Sequence, residues 1–299
     1  MVGVLRALAD DALRPAELEQ ALPGAGHTTI MRRLHHLLER DLVGHEHEPG
    51  LPPHACKAGV APRALYGLTE AGRALLQVTA AAARWQATWC PSAEQPRVAS
   101  SLAIRLLADD HVRDILLGLA DEPQSGRELD RCVRGLGRSA LRRRLHELVQ
   151  AGLVERDGRL SVPKYELTTA ARRLALVAVL AVRWERRWAP PEKSTRVTDL
   201  ADLLRMLAPI AVIPEALAGV CHLRVETAEP ADHDVYLEAG EARLYLLEGL
   251  PSAPPGVIGQ ATAEGLCDAL LRGSGQFEVS GDLALLMTVI GALSAALVA

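Results

Sequence analysis

Apolar residues recur at three- and four-residue spacing in two well-separated stretches of the chain. In the first, Ile30, Leu34, Leu37 and Leu38 share one face of a helix at about 100° per residue. Arg32 lies about 200° from Ile30 on that wheel, pointing away from the apolar face. Thr28, His35 and His36 border it, and Arg33 lies on the flank. In the second stretch Leu141, Leu145, Leu148 and Val149 form the same stripe. Arg143 takes the place of Arg32, with Ser139 beside it and Arg142 and Arg144 on the flanks. An apolar helix (4–9; 112–120) and a short helix carrying Glu17-Leu18 or Glu128-Leu129 precede each stretch. Gly26 and Gly137 stand at the N-cap, where glycine is acceptable. After Leu42-Val43 and Leu153-Val154 the pattern predicts a strand, a loop and a second strand ending near Tyr66 or Tyr165. A long helix capped by Thr69 or Thr168 closes each stretch.

The two stretches are copies. Residues 17–46 align without a gap on residues 128–157 at an offset of 111, with 11 of 30 positions identical. Tyr66, Leu68, Thr69, Trp85 and Trp89 match Tyr165, Leu167, Thr168, Trp184 and Trp188 at an offset of 99, so the first copy carries 12 extra residues in its second loop. Three helices and a two-stranded ribbon make a winged helix-turn-helix, here twice. The closing helices repeat an apolar stripe, Leu75, Val78, Ala82, Trp85 and Trp89 against Leu174, Val177, Ala181, Trp184 and Trp188. Trp85, Trp89, Trp184 and Trp188 serve either a mutual interface between the copies or the core within each. In the second wing Asp157-Gly158 suits a two-residue hairpin turn, which puts Arg156 and Arg159 beside the tip.

Prolines at 91 and 96, and again at 190 and 191, break the pattern. They divide the chain into 1–92, 97–190 and 195–299. The last part predicts a helix (198–209), strands by alternation (220–226, 235–239, 242–247), a strand (257–261), a helix (262–271), a strand (276–279) and a helix (283–298). The expected fold class is mainly α with small β wings: two tandem winged helix-turn-helix domains plus a C-terminal α+β domain with an antiparallel sheet. The final helix is uncharged but short for a bilayer and lacks flanking lysine or arginine, so it is expected to cover a sheet.

Charge separates these parts. Net charge is −1 over residues 1–96, +6 over 97–193 and −9 over 194–299, within a chain total of −4. The middle part suits a polyanion and the last repels one. A chain that is 49% hydrophobic and 23% charged excludes wholesale disorder. No signal-peptide pattern is seen, and the five cysteines are scattered without CxxC, which together give a cytoplasmic expectation with reduced thiols.

An outward arginine on the second helix of a helix-turn-helix reaches guanine edges or phosphates in the major groove; alone, such a residue is also an ordinary solvated charge. The candidate DNA-binding set is Thr28, Arg32, Arg33, His35, His36, Ser139, Arg142, Arg143, Arg144, Arg156 and Arg159. His45, His47, His54 and Cys56 in the first wing could bind zinc, but their spacing fits no strong signature, so no metal and no cofactor are expected. Nucleophile elbow, phosphate loop, dinucleotide fingerprint and metalloprotease motifs are missing, and Glu226 and Glu229 near His222 and His233 read as solvated, so no catalytic residue is assigned.

The run Leu18 to Gly24, His27 to Val43, Pro52-Pro53 and Tyr66 to Gly72 resembles HxlR-type winged-helix transcription regulators, relatives of the MarR group. The second copy departs from it at 131–135, at Arg138 and at 169–172. The resemblance implies promoter binding by residues 27–36 and 138–147. It also implies dimers, which a tandem chain replaces with an internal pseudo-dimer, leaving monomer or homodimer open. Val257-Ile-Gly259 and Val279-Ser-Gly281-Asp282 resemble the sterol-carrier-protein fold, which implies a cavity for a hydrophobic small molecule. The expected function is a DNA-binding transcription regulator whose partners are double-stranded DNA and a hydrophobic ligand, with no membrane. The alternative is a hydrophobic-ligand sequestering or carrier protein that uses the winged helices as scaffold.

Overall fold

The computed structural model describes residues 2–46, 64–89, 109–133, 135–158, 162–188, 200–226, 233–247, 249–273 and 275–298. The chain forms two compact units, Met1–Ala80 and Ala81–Ala299. The expected parts 1–92, 97–190 and 195–299 are a division by repeat and by proline breaks, on which these two units do not bear.

The first unit holds α1 (Val2–Ala7), α2 (Pro15–Ala21), α3 (His27–Leu38), β1 (Val43–Glu46), β2 (Leu65–Leu68) and the start of α4 (Glu70–Trp89). Its core is Val4, Leu5, Leu18, Ile30, Leu34, Leu37 and Tyr66, all at most 2% exposed. These are the apolar stripes of three short helices, which close only against one another. Val43 pairs with Leu68 across the antiparallel wing, and Leu13 bridges to Tyr66.

The second copy repeats this arrangement inside the second unit. It comprises α5 (Asp110–Gly118), β3 (Gln124–Ser125), α6 (Gly126–Cys132), α7 (Arg138–Gln150), β4 (Val154–Asp157), β5 (Lys164–Leu167), α8 (Thr169–Arg173) and α9 (Ala175–Trp188). Gly24 and Gly135, both at positive φ, make the turn ahead of α3 and α7. Thr69 and Thr168 each donate a hydroxyl hydrogen bond back to the main chain, to the Asp41 and Gly152 carbonyls at 2.6 and 2.8 Å. β3 adds a third strand, pairing Gln124 with Tyr165 where the first copy has the Leu13–Tyr66 bridge.

Two expectations are corrected. The second wing does not turn at Asp157-Gly158: Asp157 pairs with Lys164 and Arg156 with Tyr165, so the connection runs from 158 to 163. This register sets Asp157 opposite Lys164, although Glu155 faces Glu166, and buries Val154 against Leu167. The two-residue turn would have placed Arg156 opposite Arg159. The closing helix of the second copy is also broken at Leu174, and α9 turns one face into the C-terminal core. Ala175, Ala178, Val179 and Val182 pack with Leu203, Leu207, Leu266 and Leu293.

That core belongs to a five-stranded sheet covered by helices. Its elements are α10 (Leu200–Leu207) with a 3-10 turn (Ala208–Ile210), β6 (Gly219–Glu226), β7 (His233–Gly240), β8 (Arg243–Leu247), β9 (Val257–Thr262), α11 (Ala263–Arg272), β10 (Glu278–Gly281) and α12 (Leu283–Val298). The strand order is β10-β9-β6-β7-β8. The sheet is mixed and not purely antiparallel, because β9 runs parallel to β6 with Cys221 opposite Val257. After the β6–β7–β8 meander the chain returns through Pro251, Pro254 and Pro255 to the free edge of β6. Alternation has the same period in either direction, so the sequence carries no sign of this.

Leu286, Val289, Ile290, Leu293 and Leu297 of α12 are buried, and no helix among the described residues is long and apolar enough to cross a membrane. Asp282 caps α12, accepting from the Ala284 and Leu285 amides at 2.9 and 3.1 Å. Gly281 just before it adopts φ +105°, and a side chain there would run into the Gly256 carbonyl oxygen.

Candidate nucleic-acid interface

Both recognition helices begin from glycine. Gly26 and Gly137 lie in extended conformation at the N-caps, as expected. On α3, Thr28, Arg32, His35 and His36 are exposed and Arg33 is half-buried, while Ile30, Leu34 and Leu37 face inward. Among the described residues Arg32 has no ion-pair partner. His35 and His36 are less available: both lie 3.2 Å from the Glu39 carboxylate. His27 pairs with Glu19 of α2.

On α7, Ser139, Arg142 and Arg143 are exposed. Arg143 lies at the turn that Arg32 occupies, with only a loose 3.8 Å approach to Glu147 one turn on. Such an exposed pair contributes little, so Glu147 does little to hold the guanidinium in place. Arg144 is otherwise engaged. It meets Asp109 at 2.7 Å and Glu147 at 3.0 Å. Asp109 also accepts from the Val112 amide at 3.2 Å as the N-cap of α5. Arg144 therefore ties α7 to α5, a role a helical wheel of α7 alone does not reveal. Arg156 is exposed on β4. Arg159, His47, His54 and Cys56 lie outside the described residues, and His45 has its ring centroid 5.9 Å from that of Tyr66.

The tryptophans divide. Trp85 is 5% exposed, and its indole N–H donates to the Ala170 carbonyl at 2.8 Å. This joins the end of α4 to α8 of the second copy. Trp89 is 37% exposed. Trp184 and Trp188 are half-buried on α9, and Arg187 sits 5.3 Å over the Trp188 ring. Of the four, Trp85 is the one buried with a hydrogen bond to the second copy's main chain, inside the second unit.

Sequence reasoning missed what holds the second copy to the C-terminal sheet domain. Arg172, 8% exposed, donates to the Ala120 carbonyl of its own copy at 2.8 Å and, across to the sheet domain, to the Met206 carbonyl in the last turn of α10 at 3.4 Å. Burial pushes its pKa down from the usual arginine value. Arg173 donates to the Ala296 carbonyl near the end of α12. Arg205–Asp121 at 3.1 Å and Arg183–Asp268 at 2.6 Å complete the seam. Cations at helix C-termini are favourably placed. Arginine is rarely buried, which is why the seam was not foreseen.

On the far face of the sheet His222 is buried, stacked on Tyr236 at 4.4 Å. Its Nε2 lies 2.7 Å from the Asp234 carboxylate, and Glu229 lies outside the described residues. Among the described residues no His, Cys, Asp and Glu group could hold a metal ion.

The HxlR-like helix-turn-helix family matches residues 1–94 and, a second time, residues 109–193. No curated protein and no solved structure matches the chain.

Proposed function

The chain belongs to the HxlR-like helix-turn-helix family, and from that premise we propose that it is a DNA-binding transcription regulator with two reading heads in one polypeptide. The observation that carries this reading is the pair Arg32 and Arg143. Two matched scaffolds present an exposed guanidinium from the same turn of the recognition helix. Such a group can reach a guanine edge or a phosphate. The heads differ, with histidines around Arg32 and arginines around Arg143, so the site read is asymmetric and the chain acts as an internal pseudo-dimer.

The C-terminal domain serves in this proposal as the regulatory part, with a hydrophobic small molecule as its ligand. Its order of elements is the one that suggested the sterol-carrier resemblance, and a continuous apolar layer lies between sheet and helices. Leu223, Leu237, Leu266, Leu286 and Leu293 occupy that layer, so a ligand enters by moving α12 or α11 off the sheet. Arg173 on Ala296 and Arg172 on Met206 would pass such a shift to the second head. A ligand that binds two arrangements unequally then shifts their populations and with them DNA affinity.

The test is a duplex-binding titration of wild type, Arg32→Ala, Arg143→Ala and the double variant across salt concentrations. The double variant weakens binding and flattens the salt dependence. Unchanged affinity refutes the site. Tight binding of a lipophilic probe by a chain that prefers no DNA sequence would favour the carrier reading instead.

A further inference from the structure

We propose that the second head holds one DNA backbone phosphate in a cleft whose arginines the first head lacks, an inference that rests on the DNA-reading function above. The cleft has a volume of about 300 Å³ and lies between the start of α6, one flank of α7 and the wing strand β5. Leu141 and Leu145 line it below, and Arg127, Arg138, Arg142 and Tyr165 line its polar side. Arg138 is neutralised by Asp130 at 2.8 Å. Among the described residues Arg127 and Arg142 have no ion-pair partner, and both are exposed. Two uncompensated guanidinium forks in a space of this size suit a phosphodiester, whose two free oxygens accept bidentate bonds. The same helix carries Arg143, so the duplex that Arg143 reads brings its backbone alongside.

The repeat supplies the comparison. At an offset of 111 the first copy has Ala16, His27 and Met31 where the second has Arg127, Arg138 and Arg142. The neutralised pair survives as His27 with Glu19, but both uncompensated arginines are gone. Tyr66 is fully buried, whereas its counterpart Tyr165 is half-buried at the cleft. The second head therefore anchors the chain on the backbone, and the first contributes base reading with little backbone grip.

The experiment measures binding of the full chain to a labelled duplex by fluorescence anisotropy at several salt concentrations. Arg127→Ala/Arg142→Ala is expected to bind about tenfold more weakly. Its plot of log affinity against log salt should be shallower by about one unit, the share of one phosphate. Arg127→Lys/Arg142→Lys keeps the wild-type slope, because the charge stays while the fork is lost. An unchanged slope in the alanine pair, in a protein that binds DNA, overturns the cleft and leaves the DNA reading standing. Failure of wild type to bind any duplex overturns both. Inorganic phosphate is added at matched ionic strength and is expected to displace DNA no better than chloride. Selective displacement by phosphate, abolished in the alanine pair, would assign the cleft to a free anion and overturn the proposal.

Discussion

Replacing Arg172 by methionine tests how much its buried guanidinium contributes through one bond inside the second copy and a weaker one to the sheet domain. Methionine keeps most of the apolar stem and removes the guanidinium. The main loss is the 2.8 Å bond to the Ala120 carbonyl, with a weaker one at 3.4 Å to Met206. Bonds to a charged donor contribute about 1.5–3 kcal/mol, and a buried carbonyl left without a donor adds a penalty of similar size. Against this, the desolvation that lowers the Arg172 pKa is relieved when the charge goes. The balance is a destabilisation of about 2–3 kcal/mol. For a unit of this size about 1 kcal/mol moves Tm by roughly 2–4 °C, so the melt falls by about 4–12 °C. The repeat provides the control: Arg73 holds the same place in the first copy and is exposed, so Arg73→Met stays within about 0.5 kcal/mol. Calorimetry of both variants decides. Equal shifts, or an Arg172→Met melt that matches wild type, would refute the buried guanidinium as a source of stability.

Three further outcomes can be checked with standard measurements. Trp85→Phe removes the indole donor to Ala170 and costs about 1–2 kcal/mol in denaturant unfolding, whereas Trp89→Phe, at a position 37% exposed, costs under about 0.5 kcal/mol. Burial raises the Asp234 pKa, but hydrogen bonds and charge from His222 and Arg224 outweigh it, so the net shift is downward. A carboxylate with a lowered folded pKa stabilises above the ordinary aspartate value and loses that contribution as pH falls through its folded value. Asp234→Asn is therefore destabilised relative to wild type at pH 7, by under about 1 kcal/mol because the group is largely exposed. Urea midpoints of the two proteins converge below pH 4; a gap that persists in acid would contradict the assignment.

Much of each winged helix was legible because its signals are local. The stripes Ile30–Leu34–Leu37 and Leu141–Leu145–Leu148 fixed which side of α3 and α7 is buried, and so left Arg32 and Arg143 outside. Asp282 and the uncharged run after it marked α12 at both ends, Leu283 and Val298. What was not legible depends on long-range pairing. The parallel entry of β9 beside β6 leaves no trace in period-two alternation. The six-residue second wing was hidden by an Asp-Gly pair that reads as a turn but sits at the end of β4. The pairing of Arg144 with Asp109 and of His222 with Asp234 joins residues on different elements, which a one-helix wheel or a single strand does not reveal.

The divergence of the two closing helices has a local cause that can be tested. In the first copy α4 runs unbroken from Glu70, and Gly72 passes directly over the Leu42 carbonyl. A methyl group added there would lie on that oxygen, with the carbonyl carbon 3.1 Å away. The carbonyl cannot yield freely, because it accepts the Thr69 amide at 3.2 Å in the first turn of the same helix. At the matching place the second copy has Ala171, fully buried, and there the helix stops at Arg173 and restarts at Ala175. The Thr168 amide still reaches the Leu153 carbonyl at 3.0 Å, so the entry to the helix is kept while its course is not. Room for a methyl group and the break at Leu174 go together, and the break is what turns Arg172 and Arg173 toward the sheet domain. Gly72→Ala should therefore destabilise the first unit by about 3 kcal/mol, as overpacking against backbone does. Ala171→Gly should cost only the helix-propensity difference of about 1 kcal/mol. Circular-dichroism melts of both variants give the comparison. A Gly72→Ala protein that melts with wild type would show that α4 can shift as its counterpart does, and the account of why the two closing helices differ would fail.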